Sequence, residues 1–384
     1  MISHAKIPFV VFETEPENAQ RARDWNFGIH WSVPLLQDLM PPELFAKLAS
    51  TRVDPHRPVQ PSETLRFLNG ATGIEIGAAF IPHLYRVQRS KLRALLAEGI
   101  PIQYDKAIST ISYTEDGSTV AAHFEDGTTV SGTILIGADG TRSKVRNLLL
   151  GEEKAALDRL EYAALWVQAK YTAEQVKYLR SGHPLFLACC HPLGYFGWLG
   201  THSAPDQDVP EEWVMNCYIS YKEPIAEQEK CKKWPNEGNL GEVKALAELC
   251  FAEPFKSAFG WLGDEQEVWY SPLTQWDPSL PEHQWDNHSG RVTLAGDAAH
   301  PMTYQRGQGA NFAIKDSLEL VNHIGSFLDS ETKGRKEAVR VYEQETKERA
   351  GEEVRLSYQN TEMVHVWEKV LQSPIMKHGL NPTS

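Results

Sequence analysis

The chain has 384 residues, room for two or three domains sharing a sizeable core, and its 38 Lys and Arg against 51 Asp and Glu leave a net charge of −13. That size excludes a small stapled scaffold, and that sign argues against an electrostatic nucleic-acid binder. With no apolar run of about 18 residues and no charged-apolar-small leader at Met1, no membrane span or secretory signal is visible, and a soluble cytoplasmic protein is expected.

Ile7-Pro8-Phe9-Val10-Val11-Phe12 is a continuous apolar run that predicts a strand buried on both faces, closed by Glu13. Residues 107–113, 119–124 and 129–136 read as three strands of an antiparallel meander, because Glu115-Asp116-Gly117 and Glu125-Asp126-Gly127 supply glycine turns between them. The last of these runs enters Gly137-Ala138-Asp139-Gly140. Between about 150 and 286 the chain is rich in tryptophan (Trp166, Trp198, Trp213, Trp261, Trp269, Trp276, Trp285) and alternates like strands, which predicts a mostly antiparallel second sheet with helical insertions. Residues 205–212 and 227–241 are polar and predict exposed excursions. Arg291-Val292-Thr293-Leu294-Ala295 then runs into Gly296-Asp297, so two buried strands each end in an acid beside glycine. After Gly309 a helix is expected with Ile314, Leu318, Val321 and Phe327 on one face, and from about Arg335 another with Val339, Tyr342, Val354 and Met363. The five cysteines, Cys189, Cys190, Cys217, Cys231 and Cys250, show no C-x-x-C spacing and read as reduced thiols with no metal site.

Three places carry chemistry. Glu13 at a strand end stands where a dinucleotide fold puts the acid that accepts a ribose hydroxyl. Asp139-Gly140, followed by Ser143 and Arg146, brings an acid, a hydroxyl and a guanidinium to a strand-to-helix turn whose glycine lets a ligand approach the backbone. Gly296-Asp297-Ala298-Ala299-His300-Pro301-Met302, then Arg306-Gly307-Gln308-Gly309-Ala310-Asn311, is the strongest segment: a glycine loop opening a helix turns N–H groups and a positive dipole end toward an anionic group. His300, held before proline in a packed turn, reads as a structural hydrogen-bonder rather than a general base.

These segments resemble single-component FAD-dependent monooxygenases of the aromatic hydroxylase family, and Trp25-Asn26-Phe27-Gly28-Ile29-His30-Trp31 with Arg306-Gly307-Gln308-Gly309 is most similar to fungal members that oxidise secondary metabolites. The resemblance implies an α/β fold, in which an FAD-binding doubly wound (Rossmann-like) domain interleaves with a mainly antiparallel β-sheet substrate domain and ends in C-terminal helices. It divides the chain into an FAD-binding part (1–60, 85–150, 286–330), a substrate-binding part (61–84, 151–285) and a helical tail (331–384). It implies that Glu13, Arg21, Arg89, Asp139, Asp297, Gly307, Gly309 and Ala310 bind the cofactor. It also implies that NADPH or NADH reduces FAD, that O2 is captured as a flavin C4a-hydroperoxide, and that an electron-rich aromatic or polyketide-like molecule is hydroxylated or epoxidised. Members open with a strand, a G-x-G-x-x-G turn and a helix. Here only the tail of that helix fits before Lys6, so a unit of roughly 25 to 30 residues is read as missing, through a truncated or misassigned N-terminus or a cofactor-poor protein, and the chain as written is expected to hold FAD poorly. The rival readings are a flavin-fold protein acting as a non-redox isomerase, cyclase or ligand binder, and a halogenase or dehydrogenase on the same scaffold. The absence of a W-x-W-x-I-P motif lowers the halogenase.

Overall fold

A computed structural model describes residues 7–19, 23–231, 235–325 and 332–380. In chain order its strands are β1 (Val11–Phe12), β2 (Asn26–Ile29), β3 (Ser62–Asn69), β4 (Glu75–Pro82), β5 (Tyr85–Gln88), β6 (Ile102–Gln103), β7 (Ile108–Tyr113), β8 (Val120–Phe124), β9 (Thr129–Gly132), β10 (Leu135–Gly137), β11 (Asp158–Lys170), β12 (Phe186–Cys190), β13 (Tyr195–Ser203), β14 (Val214–Lys222), β15 (Val268–Gln275) and β16 (Val292–Leu294).

Seven strands make one sheet in the order β15-β11-β14-β13-β12-β3-β4, antiparallel throughout except for the parallel pair β12 and β3. Its period of two sorts the side chains. Leu165, Val167, Met215, Cys217 and Ile219 face one side, under Leu240, Val243 and Ala247 of helix Asn236–Cys250 and Phe255 and Phe259 of helix Phe255–Gly260. Trp166, Phe186, Phe196 and Tyr218 face the other side and pack against Tyr304 and Val364. The tryptophan-rich middle therefore forms the mainly antiparallel sheet that its alternation predicts. Residues 227–241 do not form an exposed excursion: they are helical over 227–231 and 236–241, and Gln228, Cys231, Asn239 and Leu240 are buried, because Leu240, Val243 and Ala247 recur at helical spacing beneath the polar residues.

Two short parallel pairs lie outside this sheet, β1 with β6 and β10 with β16. The expected strand over 7–12 is confined to Val11–Phe12, and Val11 is 40% exposed, so the run is not buried on both faces. The meander β7-β8-β9 forms, but its third run splits. The Thr133 carbonyl accepts from the Arg335 guanidinium at 3.2 Å instead of entering the ladder, and β10 leaves to pair with β16 in the register Leu135↔Val292 and Gly137↔Leu294. Helix Gly309–Gly325 and helix Thr332–Val364 follow, the second burying Val339, Tyr342, Ala350 and Val354; Phe327 lies outside the described residues. The fold is α/β. Among the described residues no helix is long and apolar enough to cross a membrane, and no cluster of His, Cys, Asp and Glu is placed to hold a metal ion.

Candidate active site

The two acid-glycine turns meet. The parallel pairing of β10 with β16 ends both strands at the same level, and the Ala295 N–H donates to the Gly137 carbonyl at 2.9 Å. A Cβ on Gly137 would lie 2.8 Å from Leu294 and from Val145, so only glycine allows this approach. Arg146, buried and lying over Trp276 with its guanidinium 5.0 Å from the ring, fastens the two turns. It donates to the Ala155 carbonyl at 3.1 Å, to Ala298 at 2.8 Å and to Thr141 at 2.7 Å. Asp139 caps the helix Lys144–Leu150, accepting from Ser143 Oγ at 2.5 Å and from the Lys144 and Val145 N–H groups at 2.6 and 3.0 Å. Asp297 is instead exposed, and its Oδ2 accepts from Thr141 Oγ1 at 3.2 Å.

The Gly296-Asp297 turn is held from below by residues that sequence reasoning missed. Asp316, fully buried, accepts from the Gly296 N–H at 2.8 Å and from His300 Nε2 at 2.6 Å, while Arg349 donates to its other oxygen at 2.8 Å. Burial alone would raise the Asp316 pKa, but His300 and Arg349 hold it at about 2. Burial would likewise lower His300, and the Asp316 charge overrides it and raises the imidazole. His300 is therefore the structural hydrogen-bonder its setting before proline predicts. The signal for Asp316 was an acid inside an apolar helical stripe, Phe312, Asp316, Leu320.

The glycine loop is tied to β2. Asn311 donates to the Gly28 carbonyl at 3.0 Å and to the Gly307 carbonyl at 3.1 Å, and accepts from Ser32 Oγ at 2.7 Å and the His30 N–H at 3.1 Å. Burial pushes His30 down to about 3, so it is neutral. Gly307 takes φ +63, where no atom lies within 4 Å of its Cβ position, and a Cβ on Gly309 would stand 3.6 Å from Asp297 Oδ1. Gly307, Gly309 and Ala310 are half-buried, and the helix begins at Gly309.

Glu13 and Arg89 lie elsewhere and are linked through one helix. Glu13 is half-buried and accepts from Arg93 at 2.9 Å; Arg93 and Arg89 share helix Arg89–Ala97, and the Arg89 N–H donates to the Trp25 carbonyl at 2.8 Å. Leu92 and Leu95 of this helix pack in one cluster with Ile29 and Ile314, which joins it to helix Gly309–Gly325. Arg21 lies outside the described residues.

A family model described as an FAD binding domain matches residues 273–357, the segment that holds Asp297, the glycine loop and Asp316. The chain is 35% identical to the FAD-dependent monooxygenase cctM of Talaromyces islandicus, over 98% of this chain and 92% of that protein. It is 35% identical to the FAD-dependent monooxygenase phnB of Penicillium herquei, over 99% of this chain and 91% of that protein. The fold is similar to the crystal structure of Klebsiella pneumoniae HpxO complexed with FAD and uric acid, with a TM-score of 0.70 and 18% identity over 94% of this chain and 84% of that one. The chain belongs to the single-component FAD-dependent monooxygenases of the fungal secondary-metabolism type and is an oxidoreductase.

Proposed function

We propose that this protein uses NADPH or NADH and O2 to hydroxylate or epoxidise an electron-rich, aromatic or polyketide-like small molecule in secondary metabolism. The observation that carries the reading is the Arg146 clamp, which sets exposed Asp297 beside the Gly140-Thr141 turn and across from Gly309.

The residues at these two turns fit the ribityl and isoalloxazine side of FAD. Gly140 at φ +79 and Gly307 at φ +63 both face open space, so a flat or phosphorylated group can approach the backbone on either side of a free-facing carboxylate. Bound FAD supplies reduction by the nicotinamide cofactor and transfer of one oxygen atom from O2. The chain's own residues do the rest. Asp297 accepts hydrogen bonds from ribityl or ribose hydroxyls, and Glu13 does so at the adenosine end, with Arg21 and Arg89 as further contacts. Asp139 serves the nicotinamide and pyrophosphate side through the second turn, because its carboxylate is taken up by Ser143 and the Lys144 and Val145 N–H groups and not left free for direct contact. The first-turn N–H groups at Gly309 and Ala310 have no intrahelical acceptor and favour negative charge at the loop. Trp166, Tyr218 and Tyr304, with ring centroids 4.1 to 5.3 Å apart, wall an apolar face that shields the reacting atoms from water.

The test is an assay of flavin-loaded protein with phenolic polyketides. Consumption of NAD(P)H and O2 coupled to substrate is expected. Conversion that persists without oxygen and without NAD(P)H would exclude the oxygenase chemistry and leave an isomerase, cyclase or binding protein.

A further inference from the structure

In β5, Val87 is turned into the core with Ile29, so Arg86 on the opposite side of the strand faces the aromatic side of the large sheet. Its guanidinium lies 5.4 Å from the centroid of Trp198 and donates to Asn26 Oδ1; Asn26 is itself held by the Thr201 carbonyl at 3.3 Å and His202 Nδ1 at 3.2 Å. Among the described residues no carboxylate pairs with Arg86, whose Nε is shielded from solvent and has no hydrogen-bond partner. Burial pushes the guanidinium down to about 10, with only the Tyr218 hydroxyl opposing the shift.

Other incompletely satisfied groups border the same face. Tyr218 stacks with Trp198 at 6.4 Å and meets Tyr304 edge-on at 5.3 Å, and the Tyr304 hydroxyl is buried beside the Trp166 indole with its own proton unplaced. Asn216, two residues from Tyr218 and so on the same side of β14, has a buried Oδ1 with no hydrogen-bond partner. The Tyr304 carbonyl accepts from the Gly307 N–H at 2.9 Å, so this face adjoins the glycine loop. Buried polar atoms are nearly always satisfied, and a cation without a counter-ion beside a hydroxyl with a proton to donate and a spare acceptor, against indole and phenol rings, matches a flat ligand carrying an ionised oxygen.

We propose that Arg86 is the specificity residue of the substrate site and selects the phenolate form of an aromatic substrate, holding its ionised oxygen while the ring lies against the face that Trp198 and Tyr218 form. This rests on the monooxygenase reading above only in taking the ligand to be the substrate.

The test titrates 4-nitrophenol into the full chain without NAD(P)H, following the visible phenolate band, and measures the binding of 4-nitroanisole and 4-nitrobenzoate by calorimetry. Wild type is expected to bind 4-nitrophenol as its phenolate and to lower its apparent pKa. Arg86→Gln should lose about 10- to 100-fold in phenolate affinity together with that pKa shift, with 4-nitroanisole binding unchanged. Arg86→Lys, which keeps a cation but not the planar fork, should recover part of the shift. Equal losses for phenolate and ether in Arg86→Gln would show a packing role and overturn the proposal. Binding of 4-nitrobenzoate as tight as that of the phenolate would overturn it too, by making the site a carboxylate site. A flavin-loaded chain that fails to couple O2 to turnover, yet shows the Arg86 effect, sinks the monooxygenase reading alone; intact coupling with no Arg86 effect sinks this assignment alone.

Discussion

At the scale of single residues the site divides by exposure. Asp297 is exposed and has one hydroxyl on it, whereas Asp316 and His300 are sealed in and bound to each other. On the proposed reading Asp297→Ala therefore lowers FAD affinity by about 10- to 100-fold, the worth of charge-assisted hydrogen bonds, and leaves stability nearly unchanged. His300→Ala lowers affinity far less, which titration of FAD against both variants checks; equal losses would reverse the roles. Asp316→Asn leaves buried His300 and Arg349 without their counter-charge and is expected to cost about 3 to 5 kcal/mol in denaturant unfolding. The pH sign follows from the same groups. Asp316 sits at about 2, below its unfolded value near 3.9, so its contribution is full above about pH 4 and is lost as pH falls toward 2. His300 is raised, so its contribution is full below about 6.5 and is lost as pH rises through the folded value.

At the scale of elements, local pattern was legible and long-range competition was not. Strand-end acids beside glycine, the helix after Gly309 and the alternation around Trp166 and Tyr218 all stand where their periodicity puts them. The split of the third meander strand was invisible, because it depends on Arg335, some two hundred residues away, capturing the Thr133, Ser118 and Gly117 carbonyls. Residues 227–241 misled because a polar surface hid the apolar stripe of helix Asn236–Cys250. Helix Thr332–Val364 carries another buried charge that pattern alone does not announce. Glu353, 2% exposed, stands 3.1 Å from Arg306 and accepts from Ser357 Oγ at 2.9 Å, and burial pushes it up to about 7 against the pull of Arg306. Its folded pKa lies above the unfolded value near 4.3, so stability falls as pH rises from about 4.3 to 7, by an amount on the order of 3 kcal/mol. Glu353→Gln removes the titrating proton, so its urea midpoint should be flat across that window where that of the wild type declines. A variant with the wild-type slope would place the titration elsewhere.

At the scale of the molecule the candidate site is built across unequal parts. One wall is a seven-stranded sheet covered on one side by helices Asn236–Cys250 and Phe255–Gly260, and the acid turns stand on two-stranded parallel pairs. What joins the two turns to each other and the glycine loop to β2, the four carbonyl contacts of Arg146 and the Asn311 links, spans up to 283 residues of sequence and leaves no local trace. Opening free energies should follow this division, because a ladder paired on both edges and packed on both faces opens only with the core, whereas a short pair frays. In hydrogen exchange, β11, β13 and β14 are expected to be the slowest amides and β1, with Val11 at 40% exposure, among the fastest. A ligand slows exchange where it closes such openings, by mass action on the folded state. Saturating FAD should therefore slow amides over 137–147 and 296–311, where Arg146 and Asp316 hold the two turns, and leave the distant β3-β4 edge unchanged. Protection that appears on the sheet edge but not at 296–311 would move the cofactor away from Asp297 and the glycine loop, and with it the whole assignment of roles at these turns.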